Sequence, residues 1–261
     1  MNDMRVISLE ENFACRYGGP GTQTVSSKWS LGWDAYLASQ RNFIVANIDV
    51  RGTGYQGSEF KQAVYGQLGR LEVADTLHVI RELVDNVKYI DRDRVCVWGW
   101  SYGGYVTGMV MAAGSELVKC GIAVSPVTEW QHYDTAYTER YMGLPGHRDN
   151  WRGYTGASLT LASPGIRDNS LMVVHGSSDD NVHLEHTMSL SRHLVTSQIL
   201  FRQLIYPGQA HGLGGVLKHL YRSMEAFLDD VFGPIHDYFE DDYFLAAARL
   251  VEEYGLGDRV S

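Results

Sequence analysis

Short apolar runs bounded by glycine and polar residues alternate along the chain with stretches in which apolar residues recur every three or four positions. The runs Phe43–Ile48, Val95–Trp98, Cys120–Val124, Leu171–Val174 and Gln198–Ile205 are too short for helices and predict strands, the fully apolar ones buried on both faces. Helical spacing predicts a short helix over Trp33–Ser39 and a longer one carrying Leu71, Ala74, Leu77, Ile80 and Val84. Further helices are predicted over Tyr105–Ala113, over Leu184–Leu194, and at Leu217, Leu220, Met224, Phe227, Leu228 and Val231. Strands alternating with helices imply right-handed crossovers and an α/β architecture: a mainly parallel sheet with helices on both faces. The pattern is weak before residue 15, where Val6–Leu9 offers a poorly alternating strand, and residues 125–166 read as a long irregular stretch. The division is one domain over 1–232, followed by an acidic and aromatic tail over 233–261. That tail can form a helix with Leu245, Leu250, Val251 and Tyr254 on one side.

With 261 residues the chain can bury a sizeable core. Its 22 basic and 31 acidic residues give a net charge of −9, which argues against nucleic acid and anionic membrane surfaces as partners. No apolar run is long enough to span a bilayer, and the first eleven residues carry acidic groups where a signal peptide needs an apolar core. Cys15, Cys96 and Cys120 lack metal-ligand spacing, and His183 and His186 lack a third ligand, so no metal or other cofactor is expected.

The chemistry centres on residues 95–104, VCVWGWSYGG. A strand, then G-x-S-x-G over Gly99–Gly103, then a helix is the context of a nucleophile elbow. It holds a serine on a turn too tight for neighbouring side chains and aims a helix N-terminus at the site. Ser101 is the candidate nucleophile. A serine needs a base held by a third group, and in this architecture the acid and then the histidine follow the nucleophile in chain order. Asp179 and Asp180 follow the Leu171–Val174 strand, and either could orient an imidazole; His211 follows the Gln198–Ile205 strand. His183 directly trails the aspartates as a rival, but choosing it would leave the last loop empty. The Tyr102 backbone N–H is one oxyanion donor. Tyr17, in a Gly- and Pro-rich turn, is either a phenolic second donor or an aromatic packed over that turn.

Together these residues resemble the hydrolase domain of the dipeptidyl peptidase IV family, within the prolyl oligopeptidase group of serine peptidases. The resemblance runs from about Tyr17 to about Phe232. It is carried by Gly99–Tyr105, His175–His183 (HGSSDDNVH), Ala210–Gly212, Asp49–Gly57 and Tyr137–Gly143. It implies the α/β-hydrolase fold, Asp179 as the triad acid, and Tyr17 as the partner of the Tyr102 N–H in the oxyanion hole. By the same resemblance Tyr102, Val127, Trp130, Tyr133, Tyr137 and Val182 wall a slot for proline, and Asn181 binds the carbonyl of the substrate's first residue. The implied activity is release of N-terminal dipeptides from peptides with proline, or less often alanine, in second place. The resemblance also implies a plasma-membrane or extracellular setting with the anchor upstream of this chain, which by itself reads as soluble, and is compatible with a homodimer.

The chain departs from that family in lacking room for its N-terminal β-propeller, which holds paired glutamates that grip the substrate amine. The segment before Tyr17 is not the clean apolar strand found there, so the first strands of the sheet are expected to be missing. Cys120 stands where a disulfide can occur and lacks a partner, and the tail has no counterpart. The expectation is a fragment, a truncated isoform or an imperfect gene product. Two alternatives accompany the dipeptidyl peptidase reading: a less selective esterase or peptidase, and an inactive binding or dimerisation module.

Overall fold

A computed structural model describes residues 11–16, 19–29, 31–114 and 116–233. Val6–Leu9, Tyr17 and the tail from 234 lie outside the described residues. Among the described residues six parallel strands form one sheet in the order β2-β1-β3-β4-β5-β6. They are β1 (Glu11–Arg16), β2 (Phe43–Asn47), β3 (Ile90–Trp100), β4 (Cys120–Val124), β5 (Leu171–Gly176) and β6 (Arg202–Tyr206). The principal helices are α1 (Trp33–Gln40), α3 (Leu71–Asn86), α4 (Tyr102–Ala112), α8 (Glu185–Thr196) and α9 (Leu217–Phe232), with a short α2 (Ser58–Gln62).

Each central strand sends alternate side chains into a different core, which is why its sequence is uniformly apolar rather than alternating. Val95 and Val97 of β3, Ala123 of β4, and Leu171 and Val173 of β5 join one cluster with Val73, Ile80 and Val84 of α3, Tyr105, Val106 and Val110 of α4, and Leu190 of α8. Cys96, Trp98, Ile122, Val124, Met172 and Val174 face the other, beneath Leu37 of α1 and Leu220, Met224, Phe227 and Leu228 of α9. Cys96 and Cys120 are buried free thiols, paired in register across β3 and β4.

The structure departs from the sequence pattern in five places. β1 is a strand in the interior of the sheet, between β2 and β3, although its residues alternate poorly; pairing on both sides rather than side-chain pattern defines it. β3 begins at Ile90, five residues before its apolar run, because the buried Ile90 pairs with Glu11 of β1 ahead of a register shift, after which pairing resumes at Val95 opposite Phe13. β6 begins at Arg202 and not at Gln198, whose φ of 60° is incompatible with a strand. α4 begins at Tyr102, its first turn disguised by two glycines that are poor helix formers. The stretch read as irregular contains α5 (Thr135–Met142), α6 (Trp151–Gly156) and α7 (Leu159–Ala162). Asp134, Asn150 and Ser158 cap their N-termini by accepting from Tyr137, Gly153 and Leu161 N–H.

Candidate active site

Because all six strands run the same way, the ends of β3, β5 and β6 open on one edge of the sheet, where open α/β sheets place their sites. Ser101 follows β3 directly. Its φ of 59° and ψ of −117° put a non-glycine residue in a conformation costing about 1–3 kcal/mol, which persists only where the surroundings enforce it. The Ser101 N–H donates to the Val124 carbonyl at 2.8 Å, and its own carbonyl accepts from Tyr105 N–H at 3.0 Å. Bare glycine backbones let the turn close: a Cβ on Gly99 would sit 2.3 Å from the Gly103 carbonyl, and one on Gly104 would sit 2.9 Å from the Val124 oxygen. Tyr102 opens α4, and the first N–H groups of a helix have no partner within it.

Asp179 lies in the loop after β5, with its carboxylate enclosed. Oδ1 accepts from the N–H groups of Asn181 and Val182, both at 3.0 Å, and Oδ2 lies 2.7 Å from His211 Nδ1. Facing a carboxylate, Nδ1 carries the proton, which leaves Nε2 of His211 as the basic nitrogen. Asp180 is exposed, as is His183. Trp100, the residue before the serine, donates from its indole nitrogen to the His211 carbonyl at 3.0 Å. The His211 loop also crosses the end of β5 so closely that a Cβ on Gly176 would meet the Gln209 oxygen at 2.2 Å. His211 is therefore tied to both the elbow and the aspartate loop.

Beside the elbow stands an aromatic cluster. The Trp130 ring lies 5.5 Å from Tyr102, 5.8 Å edge-on from Tyr133, and 6.1 Å from Tyr137 in a stacked arrangement. Val127, Trp130 and Val182 are buried, while Tyr133 and Tyr137 are half-buried and Asn181 is exposed. Tyr133 donates its hydroxyl to Asn181 Oδ1 at 2.7 Å, fixing the amide at the rim. Burial raises the Tyr137 phenol well above its ordinary value, so the wall stays neutral. Gly19 packs against this wall, with the Tyr102 side chain 3.2 Å from where its Cβ would be.

Two groups at the site carry no role in the sequence reading. Glu72 of α3 is fully buried and accepts the Tyr102 hydroxyl at 2.5 Å on Oε1. Burial drives its carboxyl upward, against the opposing pull of that hydrogen bond. Its signal was its place in the series Glu72, Thr76, Ile80, Val84, an i, i+4 ladder whose members are all buried. His175 lies within the quoted aspartate motif and is buried against Asp179.

The strand order and an elbow at the end of β3 define the class as an α/β-hydrolase. The prolyl oligopeptidase family profile matches residues 29–234, and the chain belongs to that family. It is 42% identical over 217 residues to the prolyl endopeptidase FAP of Bos taurus, covering 83% of this chain and 28% of that protein. It is 41% identical over 221 residues to the venom dipeptidyl peptidase 4 of Apis mellifera, covering 84% of this chain and 28% of that one. The solved structure of Porphyromonas gingivalis dipeptidyl peptidase 4 superposes with a TM-score of 0.81 at 38% identity, over 86% of this chain and 32% of that chain. The chain thus spans little more than a quarter of the length of the curated relatives it matches.

Proposed function

We propose that residues 1–232 form the catalytic unit of a serine dipeptidyl peptidase acting on peptides whose second residue is proline or alanine. The observation that carries the reading is the His211–Asp179 pair, bound at 2.7 Å and tied through Trp100 to the strained Ser101 elbow. Ser101 Oγ attacks the carbonyl carbon of the second residue while His211 Nε2 takes the hydroxyl proton. The oxyanion is held by the Tyr102 N–H and, by family resemblance, the Tyr17 phenol. His211 passes its proton to the leaving amine, the peptide bond breaks, and the dipeptide remains as an ester on Ser101. Water, deprotonated by the same imidazole, then attacks the ester and releases the dipeptide, returning the proton to Ser101. Asp179 stays ionised throughout and stabilises the imidazolium. The aromatic wall of Tyr102, Trp130, Tyr133 and Tyr137, backed by Val127 and Val182, suits a flat apolar pyrrolidine ring, and Asn181 offers its amide to the first residue's carbonyl.

A less selective peptidase is favoured by one observation: a relative at 42% identity is named an endopeptidase. Paired substrates separate the two readings. A dipeptidyl peptidase turns over a Gly-Pro amide with a free amine and spares its N-acylated form, whereas equal rates on both support the looser specificity. Turnover of the free amide that persists in Ser101→Ala overturns both. A plasma-membrane or extracellular setting and a homodimer belong to the same proposal, the former supported by the venom source in one relative's name. Among the described residues no helix is long and apolar enough to cross a membrane.

A further inference from the structure

His175 takes no part in the steps above, yet its ring is fully enclosed at the heart of the aspartate loop. Its Nε2 lies 2.7 Å from the Val182 carbonyl oxygen and 3.3 Å from Asp179 Oδ2, the same oxygen that holds His211. Both neighbours only accept, so Nε2 carries the proton; its hydrogen bond goes to the Val182 carbonyl, and Asp179 Oδ2 stands beside that N–H at 3.3 Å. Nδ1 is thereby left to accept, and it takes the buried Thr187 hydroxyl at 2.7 Å. Burial pulls His175 below the ordinary histidine value, outweighing the attraction of Asp179, so the ring is a neutral donor. The other titratable groups facing this corner are His211 from the β6 loop and His186 on α8, which burial lowers to about 4, with Tyr133 at the rim.

The two oxygens of Asp179 are therefore held in different ways. Oδ1 has two backbone N–H donors, and Oδ2 has the His211 imidazole as its hydrogen-bond partner with the His175 ring 3.3 Å away on its other side. We propose that His175 is a positioning residue of the triad, its Nε2–H anchored on the Val182 carbonyl and set against the Asp179 oxygen that holds His211. The N–H dipole keeps the carboxylate in one orientation and takes up part of the charge that His211 would otherwise feel. The inference rests on the reading of Ser101, His211 and Asp179 as a triad. Without this dipole Oδ2 is more basic toward His211, so the imidazolium is stabilised and the base is protonated at higher pH. The carboxylate is also freer to turn.

The experiment compares kcat and KM across pH 5–9 on a Gly-Pro amide for the full chain and for His175→Leu, His175→Gln, Thr187→Val and Ser101→Ala. In His175→Leu, kcat falls about tenfold, the low end of what a polar contact to a charged group is worth, with KM little changed. Its acidic limb of kcat/KM moves to higher pH. His175→Gln, whose amide can donate to the same oxygens, brings the limb back. Should the leucine variant fail to fold, Thr187→Val, which removes the hydroxyl that anchors Nδ1 and loosens the ring against Asp179, shows the same displacement in smaller measure. A leucine or valine variant whose limb coincides with wild type overturns the inference, as does a glutamine variant as impaired as the leucine one. Turnover surviving in Ser101→Ala overturns the triad reading instead, so the two failures are distinct.

Discussion

The elbow geometry makes a graded prediction for alanine at three glycines. At Gly99 the new methyl would stand 2.3 Å from the carbonyl carbon and oxygen of Gly103, about 1 Å inside ordinary contact, and both obstacles are backbone within the elbow itself. At Gly104 it would stand 2.9 Å from the Val124 oxygen, 3.2 Å from the Gly99 oxygen and 3.3 Å from the Pro126 Cα, so α4 would have to lift from β4 by a few tenths of an ångström. At Gly108 it would meet Leu159 Cδ2 at 2.5 Å and Cδ1 at 3.0 Å, the branched end of a buried side chain rather than backbone. Overpacking costs about 1–3 kcal/mol, and alanine returns about 0.5–1 kcal/mol inside a helix, a credit open to Gly104 and Gly108 but not to Gly99. The expected losses are about 3 kcal/mol or more for Gly99→Ala, about 1–2 for Gly104→Ala and at most about 1 for Gly108→Ala. Urea unfolding measures them, and the rate of labelling by a fluorophosphonate probe reports the serine. Labelling should be nearly lost in Gly99→Ala, reduced in Gly104→Ala and retained in Gly108→Ala. A Gly99→Ala protein with the wild-type urea midpoint and labelling rate would refute the reasoning.

Three other perturbations follow from the site. Trp100→Phe keeps the ring but deletes the indole donor to the His211 carbonyl, and should lower kcat/KM about tenfold while costing about 1 kcal/mol in urea unfolding. Asp179→Asn removes the acceptor that fixes the His211 tautomer and should lower kcat by about four orders of magnitude, whereas Asp180→Asn, at an exposed position, should stay near wild type in the same assay. Glu72 is raised by burial, so it binds a proton in the folded chain over a pH range where the unfolded chain has released it. Its contribution is fully present below pH 4.5 and is lost as pH rises through the folded value. Unfolding midpoints of wild type relative to Glu72→Gln should therefore decline from about pH 4.5 upward, and parallel curves would contradict this.

Legibility in the sequence followed the source of each element's order. β4 occupies Cys120–Val124, the predicted run, because burial on both faces leaves a continuous apolar signature. β1 left no such mark, since Glu11, Asn12 and Arg16 belong to a strand defined by neighbours that arrive later in the chain. Helices α5 to α7 were hidden by their brevity; their caps are local, but their apolar faces are too short to show a period. Ser101, Asp179 and His211 could be nominated from their order at strand ends. The difference between Asp179 and Asp180 rests on which carboxylate turns inward, which one residue of spacing does not encode. The contacts of Glu72 and His175 were not legible for a related reason: their partners, Tyr102 and the folded-back Asp179 loop, exist only once α3, α4 and β5 have packed.

The central claim is that Ser101 is an activated nucleophile whose base is His211 held by Asp179. Its most direct test is fluorophosphonate labelling of the purified chain beside Ser101→Ala and His211→Ala, because the probe reports the serine independently of substrate selection. The expected result is stoichiometric labelling of the wild-type chain, none in Ser101→Ala, and labelling slowed by orders of magnitude in His211→Ala. A folded wild-type chain that does not label, or one whose labelling is untouched by losing His211, would contradict it.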